Sequence, residues 1–494
     1  MNYISTRGIE KDKVSSAYAI KTGLASDGGL YMPESIPHLK ENELSEMIND
    51  TYEVRAAKIL SKFLTDYTYD ELIEDACGAY AEAKFGKSPA PVTKLDNKSF
   101  MLELWHGPTC AFKDMALQIM PRLFTRALKK CGENKTALIL VATSGDTGKA
   151  ALEGYRDIEG TKIKVFYPVS GVSRVQKLQM QTQEGGNVSV NGIVGNFDDA
   201  QTGVKKIFSD ANVKTTLEEA NVFLSSANSI NWGRLVPQIV YYVSAYCDLV
   251  SQGEITLGEK IDVCVPTGNF GNIFAGYIAK LMGLPIEKLV CASNINNVLT
   301  EFLKTGTYDR NRAFHTTISP SMDILISSNL ERLLYVTLGC EKTAEYMRKL
   351  AAEGTYSLTS SELDIIRKSF VGYYTDDEMT KETIRKTYNE KNCLIDTHTA
   401  VAVYAAERYM QDSKAERKIV AVSTASPYKF ARDVFVSISG KEPLDDLSAL
   451  DELEKLTGVA VPAPLGGLSK KKILHEKTID KCEMEDATVK FARN

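Results

Sequence analysis

Apolar residues in the first 95 positions recur at helical spacing. In "ENELSEMINDTYEVRAAKILSKFL" (41–64) and "TYDELIEDACGAYAEAKFG" (68–86) they gather on one face, with charged residues on the other. The spacing predicts a mainly helical region, 1–95, interrupted by the turn-rich "GLASDGGLYMPESIP" (23–37). The segment "GKSPAPVTKLDNKS" (86–99) has the Pro, Gly and Lys content of a boundary. Beyond it the pattern changes. Short apolar runs, "ALILVAT" (137–143), "KIKVFYPV" (162–169), "IDVCVPT" (261–267) and "KIVAVSTA" (418–425), read as strands. Each is followed by a turn and a helical run, such as "KAALEGYRD", "SRVQKLQMQT", "IFAGYIAKLMG" and "SPYKFARDVFVSI". Strand, turn and helix in repetition predict parallel α/β sheets, with ligands at the C-terminal ends of the strands. We expect one α/β domain over 96–235 and a larger one over 236–494.

The bulk numbers narrow the function. The chain has 494 residues, 44% of them hydrophobic, enough for two or three domains with real cores. The formal charge is −5 and no basic stripe occurs, which argues against nucleic acid as a partner. The longest apolar runs, "ALILVA" and "VSAYC", are too short to span a membrane. The start, "MNYISTRGIEKDK", has no apolar signal core, so the cytoplasm is the expected compartment. Nine scattered cysteines without a C-x-x-C pair read as reduced thiols. The five histidines lack ligand spacing, and no metal is expected.

Three turns carry the candidate chemistry. "TSGDTGKA" (143–150) fails as a P-loop, which needs glycine at Thr143 and Ser or Thr at Ala150. "GNFGNIFAG" (268–276) fails as a dinucleotide fingerprint. What "GNFGN" offers is an anion cup: Gly268 and Gly271 for a tight turn, Asn269 and Asn272 as donors, and a helix N-terminus behind. "SGDTG" is a second cup, with hydroxyls at Ser144 and Thr147 suited to a carboxylate. Asp146 within it either accepts from a hydroxyl or caps the following helix. The third turn, "ELWHGPTCAFKDMALQ" (103–118), sets Lys113 at a helix start, the wrong end for a free cation. A lysine, a phosphate cup and a carboxylate cup together are the parts of a pyridoxal-phosphate site acting on an amino acid.

These segments resemble the threonine synthases, pyridoxal-phosphate enzymes of fold type II (tryptophan synthase β-like). "HGPTCAFKDMALQ" is similar to their Schiff-base segment. "STRG" (5–8), "GLASDGGLYMPE", "ATSGDTGKAALEG", "SRVQKLQM", "NSINWGR" (228–234), "PTGNFGN", "DTHTAVA" (396–402) and "STASPYKF" (423–430) follow in the family's order. The helical N-terminal extension is similar to the longer, bacterial and fungal branch. The resemblance implies Lys113 as the residue that holds the cofactor and moves protons. It implies Gly268, Asn269, Phe270, Gly271 and Asn272 around the cofactor phosphate, Thr424 at the pyridine nitrogen and Asp146 at the ring. Ser144, Gly145, Thr147, Ser229, Asn231 and Arg234 are the implied substrate residues. Lys149, Arg174 and Lys177 are further candidates for the substrate phosphate. Thr397 and Ser426 depart from the frequent proline and histidine. The implied reaction turns O-phospho-L-homoserine and water into L-threonine and phosphate. The alternatives are a phospho-lyase giving 2-oxobutyrate from phosphothreonine or phosphohomoserine, and a non-catalytic relative. A monomer or homodimer is expected.

Overall fold

A computed structural model describes residues 1–8, 13–170 and 172–493; part of the polar start, 9–12, lies outside the described residues. Two parallel sheets organise the chain. The larger runs in the order Phe370–Tyr374, Ile286–Ser293, Ile261–Pro266, Ile419–Ser423, Ser99–Glu103, Val92–Lys94. Only its last pair is antiparallel. The smaller runs Thr478–Asp480, Val188–Val194, Thr161–Pro168, Thr136–Ala142, Val222–Ser225, all parallel. Every residue of Ile261–Pro266 and Ile419–Ser423 is buried, as expected where helices cover both faces of a sheet.

Sheet membership crosses the expected border at 235. Ser99–Glu103 lies in the sheet of Ile261–Pro266, and Thr478–Asp480 pairs with Val188–Val194. Local periodicity marks a strand but says nothing about which neighbour it meets. That choice belongs to the crossover connections.

The N-terminal region is helical as read, with Ser16–Thr22, Glu41–Met47, Tyr52–Phe63 and Tyr69–Ala79, but it is not a separate body. The turn-rich 23–37 segment also contributes a short strand, Tyr31–Pro33, paired antiparallel with Tyr3–Ser5. The long helix Trp232–Ser251, buried on nearly every side, joins the helical region to the sheets. Trp232 packs against Tyr3 and Phe63, with ring centroids 5.6 and 5.8 Å away. Burying each such ring stabilises the junction by roughly 1.5–3 kcal/mol. Further along, Arg55 reaches Ser244 Oγ at 2.8 Å and Asp248 at 2.6 Å. Among the described residues no helix is long and apolar enough to cross a membrane.

Candidate active site

Lys113 stands at the N-cap of a one-turn helix, Asp114–Leu117. Its loop is pinned from two sides. Phe112 N donates to the Thr424 carbonyl at 2.8 Å, and Ser426 N to the Cys110 carbonyl at 3.0 Å. The Asp114 carboxylate closes the turn by accepting from Thr109 N at 2.8 Å and Thr109 Oγ1 at 2.7 Å. A side chain on Gly107 would collide with that carboxylate at 2.6 Å, which explains the glycine. Lys113 is only 9% exposed, and its Nζ lies 3.2 Å from Asp146 Oδ2 and 3.3 Å from Ser321 Oγ. Burial pushes its proton affinity down, Asp146 opposes the fall, and the cations of Lys429 and Arg234 deepen it. This is an amine made ready to lose its proton.

Gly145, not Asp146, takes the N-cap position of the helix that follows. Asp146 opens that helix, Asp146–Tyr155, and its Oδ1 meets Lys429 Nζ at 2.8 Å and Gln176 Nε2 at 2.8 Å. Burial alone would raise its carboxyl, but Lys429 and Lys113 outweigh burial and hold it far below the usual carboxylate range. Lys429 is itself completely enclosed, donating to the Thr109 carbonyl at 3.1 Å and Gln179 Oε1 at 2.8 Å.

The 268–272 loop follows strand Ile261–Pro266 and opens helix Gly271–Leu281. Its left-handed residue is Phe270, φ 63°, not either glycine. Gly268 is required for a different reason: a Cβ there would stand 2.6 Å from the Ser321 carbonyl. At Gly271 a Cβ would meet the Asn329 amide at 3.3 Å, a milder contact. Asn269 offers its carbonyl to Asn329 N and Nδ2, at 3.1 and 3.0 Å. Asn272 Oδ1 accepts from Tyr241 and Tyr242 hydroxyls at 2.6 Å each, which leaves its Nδ2 buried without a partner among the described residues.

One cavity of about 980 Å³ joins these parts, lined by Lys113, Asp146, the 268–272 loop and Arg234. Arg234 is 3% exposed, and its Nη1 donates to the Ala227 carbonyl at 2.6 Å while Nε has no partner among the described residues. Burial pushes its guanidinium down to about 10. Two orphaned buried donors on one cavity, Asn272 Nδ2 and Arg234 Nε, fit anionic occupants, and a phosphorylated cofactor beside an amine fits the whole set.

Comparison with known proteins decides the family. Residues 84–425 match the family model "Pyridoxal-phosphate dependent enzyme", residues 2–80 "Threonine synthase N terminus", and residues 399–464 "Threonine synthase, C-terminal". The chain is 38% identical over 450 residues to threonine synthase of Pseudomonas aeruginosa, covering 90% of this chain and 92% of that protein. The chain belongs to the threonine synthase family. It is also 41% identical over 459 residues to human threonine synthase-like 1, covering 89% of this chain but only 61% of that protein, so it spans about three-fifths of that relative. The crystal structure of pyridoxal-phosphate-bound threonine synthase from Brucella melitensis matches with a TM-score of 0.87 at 35% identity, covering 100% of both chains. The yeast threonine synthase structure matches at 0.88 and 33%, covering 99% of this chain and 98% of that one. This member of the threonine synthase family therefore has the fold of the type II pyridoxal-phosphate enzymes.

Most residues expected of a threonine synthase line the cavity, including Ser144, Thr147, Ser229 and Thr424. Asn231 does not. Its side chain caps helix Trp232–Ser251 by accepting from Gly233 N at 2.8 Å, and donates to the Ile20 carbonyl at 2.9 Å, so both ends are used. Gly145, with φ 135°, also stands off the wall; a Cβ there would strike the Gln176 amide at 2.6 Å. Lys149 pairs with Glu153 at 3.0 Å outside this cavity, and Arg174 and Lys177 do not line it.

Four residues went unassigned from the sequence: Lys429, Gln176, Ser321 and His398. Lys429 and Gln176 sit inside the quoted "STASPYKF" and "SRVQKLQM". His398 Nε2 accepts from Ser321 N at 3.1 Å while its Nδ1 meets Asp396 Oδ2 at 2.9 Å. The neutral Nδ1–H imidazole thus fixes the Ser321 turn beside Lys113. Only His398 carried a usable signal, a histidine two residues after an aspartate at a helix start.

Proposed function

We propose that this protein converts O-phospho-L-homoserine and water into L-threonine and inorganic phosphate. The observation that carries the reading is Arg234, a buried cation on the cavity wall with an unpartnered Nε and no carboxylate in ion-pair reach among the described residues. A desolvated guanidinium calls for an anion, and a phosphate ester on the substrate supplies it. The cofactor phosphate would rest on the 268–272 loop with Asn272 Nδ2, Thr424 would serve its ring nitrogen and Lys113 would hold it. Pyridoxal phosphate, when bound, supplies the electron withdrawal that makes protons beside the amino carbon acidic.

The chain's own groups do the rest. Lys113 Nζ, with its depressed proton affinity, takes and returns protons. Asp146, fixed as an anion by Lys429, orients that amine. Ser144 and Thr147 would take the substrate carboxylate, and Ser229 would join Arg234 at the phosphate. Gly145 and Asn231 would act by shaping the backbone behind these contacts. The cytoplasm is the proposed compartment, supported by nine cysteines that are all free thiols.

A second reading, a phospho-lyase giving 2-oxobutyrate, is favoured by the 41% identity to a relative named threonine synthase-like 1 rather than threonine synthase. A product assay with phosphohomoserine separates the two. Threonine and phosphate in equal amounts support the synthase; a mixture dominated by keto acid overturns it.

A further inference from the structure

A second cavity, of about 190 Å³, lies behind the Lys113 loop. Pro108 of that loop forms one wall, Lys149 and Glu153 of helix Asp146–Tyr155 another, and Lys471 a third. Arg156 and Glu184 line it as well, which makes three cations against two carboxylates. Glu153 is already committed to Lys149 at 3.0 Å. Burial lowers the proton affinity of Lys149, Glu153 opposes the fall, and the charge of Lys471 adds to it. Lys149 Nζ also donates to Gln183 Oε1, and with Arg156 and Lys471 lining the same small space the surplus of cations favours an anion there.

An independent feature points the same way. Gln179, also on the wall, is 2% exposed, and its Oε1 accepts from Lys429 Nζ at 2.8 Å. Its Nε2 is buried with no partner among the described residues. Buried amide donors are almost always matched, so an unmatched one on a cavity wall marks the place of an acceptor.

We propose that this cavity is a second oxyanion site, occupied by free inorganic phosphate and coupled to the active site. The choice of phosphate rests on the proposed reaction, which releases it; the site itself rests on the geometry. Coupling runs through a short chain: Gln179 to Lys429 at 2.8 Å, Lys429 to Asp146 at 2.8 Å, and Asp146 to Lys113 at 3.2 Å. An anion held by Gln179 Nε2 fixes the amide whose other end orients Lys429. Pro108 gives a second route, because it shares a loop with Lys113.

Calorimetric titration of inorganic phosphate into the holoenzyme tests this, using wild type, Arg234→Ala, Lys149→Met and Lys471→Glu. Phosphate binding at the second cavity should persist in Arg234→Ala and weaken at least tenfold in Lys471→Glu and Lys149→Met. Saturating phosphate should change kcat in wild type, at saturating substrate, and leave kcat unmoved in Lys471→Glu. An unchanged isotherm in both lysine variants overturns the site. So does a phosphate effect that is purely competitive with substrate and vanishes in Arg234→Ala. If the enzyme makes no threonine, the synthase reading falls while the calorimetry still decides the site.

Discussion

The Lys429 ammonium meets the Asp146 carboxylate at 2.8 Å, and neither side chain is more than 3% exposed. The pair ties the turn after Ile419–Ser423, in the larger sheet, to the turn after Thr136–Ala142, in the smaller. Both turns lie at strand C-terminal ends, where the cavity opens between the sheets. A fully enclosed ion pair is costly to break from one side, because the partner left behind stays charged and dry.

Lys429→Met should therefore lower unfolding free energy by about 3–5 kcal/mol, the range for losing one member of a buried pair. It should also raise the proton affinity of Lys113, since one of the cations that lowers it is gone. Denaturant unfolding measures the first effect and a pH titration of the active-site amine the second. Wild-type stability in this variant would show that the pair carries no structural weight.

Arg234→Ala should raise KM for phosphohomoserine and lower kcat/KM by the equivalent of roughly 2–4 kcal/mol, the cost of truncating one partner of a desolvated charge contact. Cofactor binding should be retained. Steady-state kinetics with wild-type constants would move the substrate phosphate elsewhere in the cavity.

Gly268→Ala should weaken cofactor binding far more than Gly271→Ala. Its methyl group would meet the backbone carbonyl of Ser321 at 2.6 Å, whereas at Gly271 the neighbour is a side-chain amide at 3.3 Å that can turn away. Cofactor titration of the two folded variants gives the order. The reverse order would sink the assignment of the loop.

Asp114 predicts a pH dependence. Burial pushes its carboxyl from 3.8 up to about 6, against the opposing bonds from Thr109. Between those values the folded state keeps a proton that the unfolded state has lost, so stability falls as pH rises through the window. The fall is on the order of 3 kcal/mol and is complete above the folded value. Asp114→Asn, which cannot ionise, should remove that slope from unfolding free energies measured between about pH 4 and 7. A slope equal to wild type would place the titration elsewhere.

Much of this enzyme was legible in one dimension. Alternation of apolar strand runs with helical runs announced parallel sheets, because a strand covered on both faces needs continuous hydrophobicity and a crossover helix needs its own period. Lys113, Asp146 and the 268–272 loop, which the fold gathers on one cavity, stood out in the sequence because turns after strands are where such sheets gather chemistry, and Arg234 stood out through the resemblance of its segment. Pairing across the fold was not legible. Nothing in "STASPYKF" says that Lys429 is enclosed beside Asp146, nor does "SRVQKLQM" place Gln176 on that carboxylate and Gln179 on Lys429. Asn231 looked like a ligand residue and is a helix cap, because a donor-rich side chain serves a backbone end as readily as a substrate. Phe270, rather than a glycine, takes the left-handed turn, held there with its ring buried against Phe370 from another strand. Periodicity and turn chemistry are local and survive in the sequence. Partner, burial and charge environment depend on segments hundreds of positions apart, and only the packed chain brings them together.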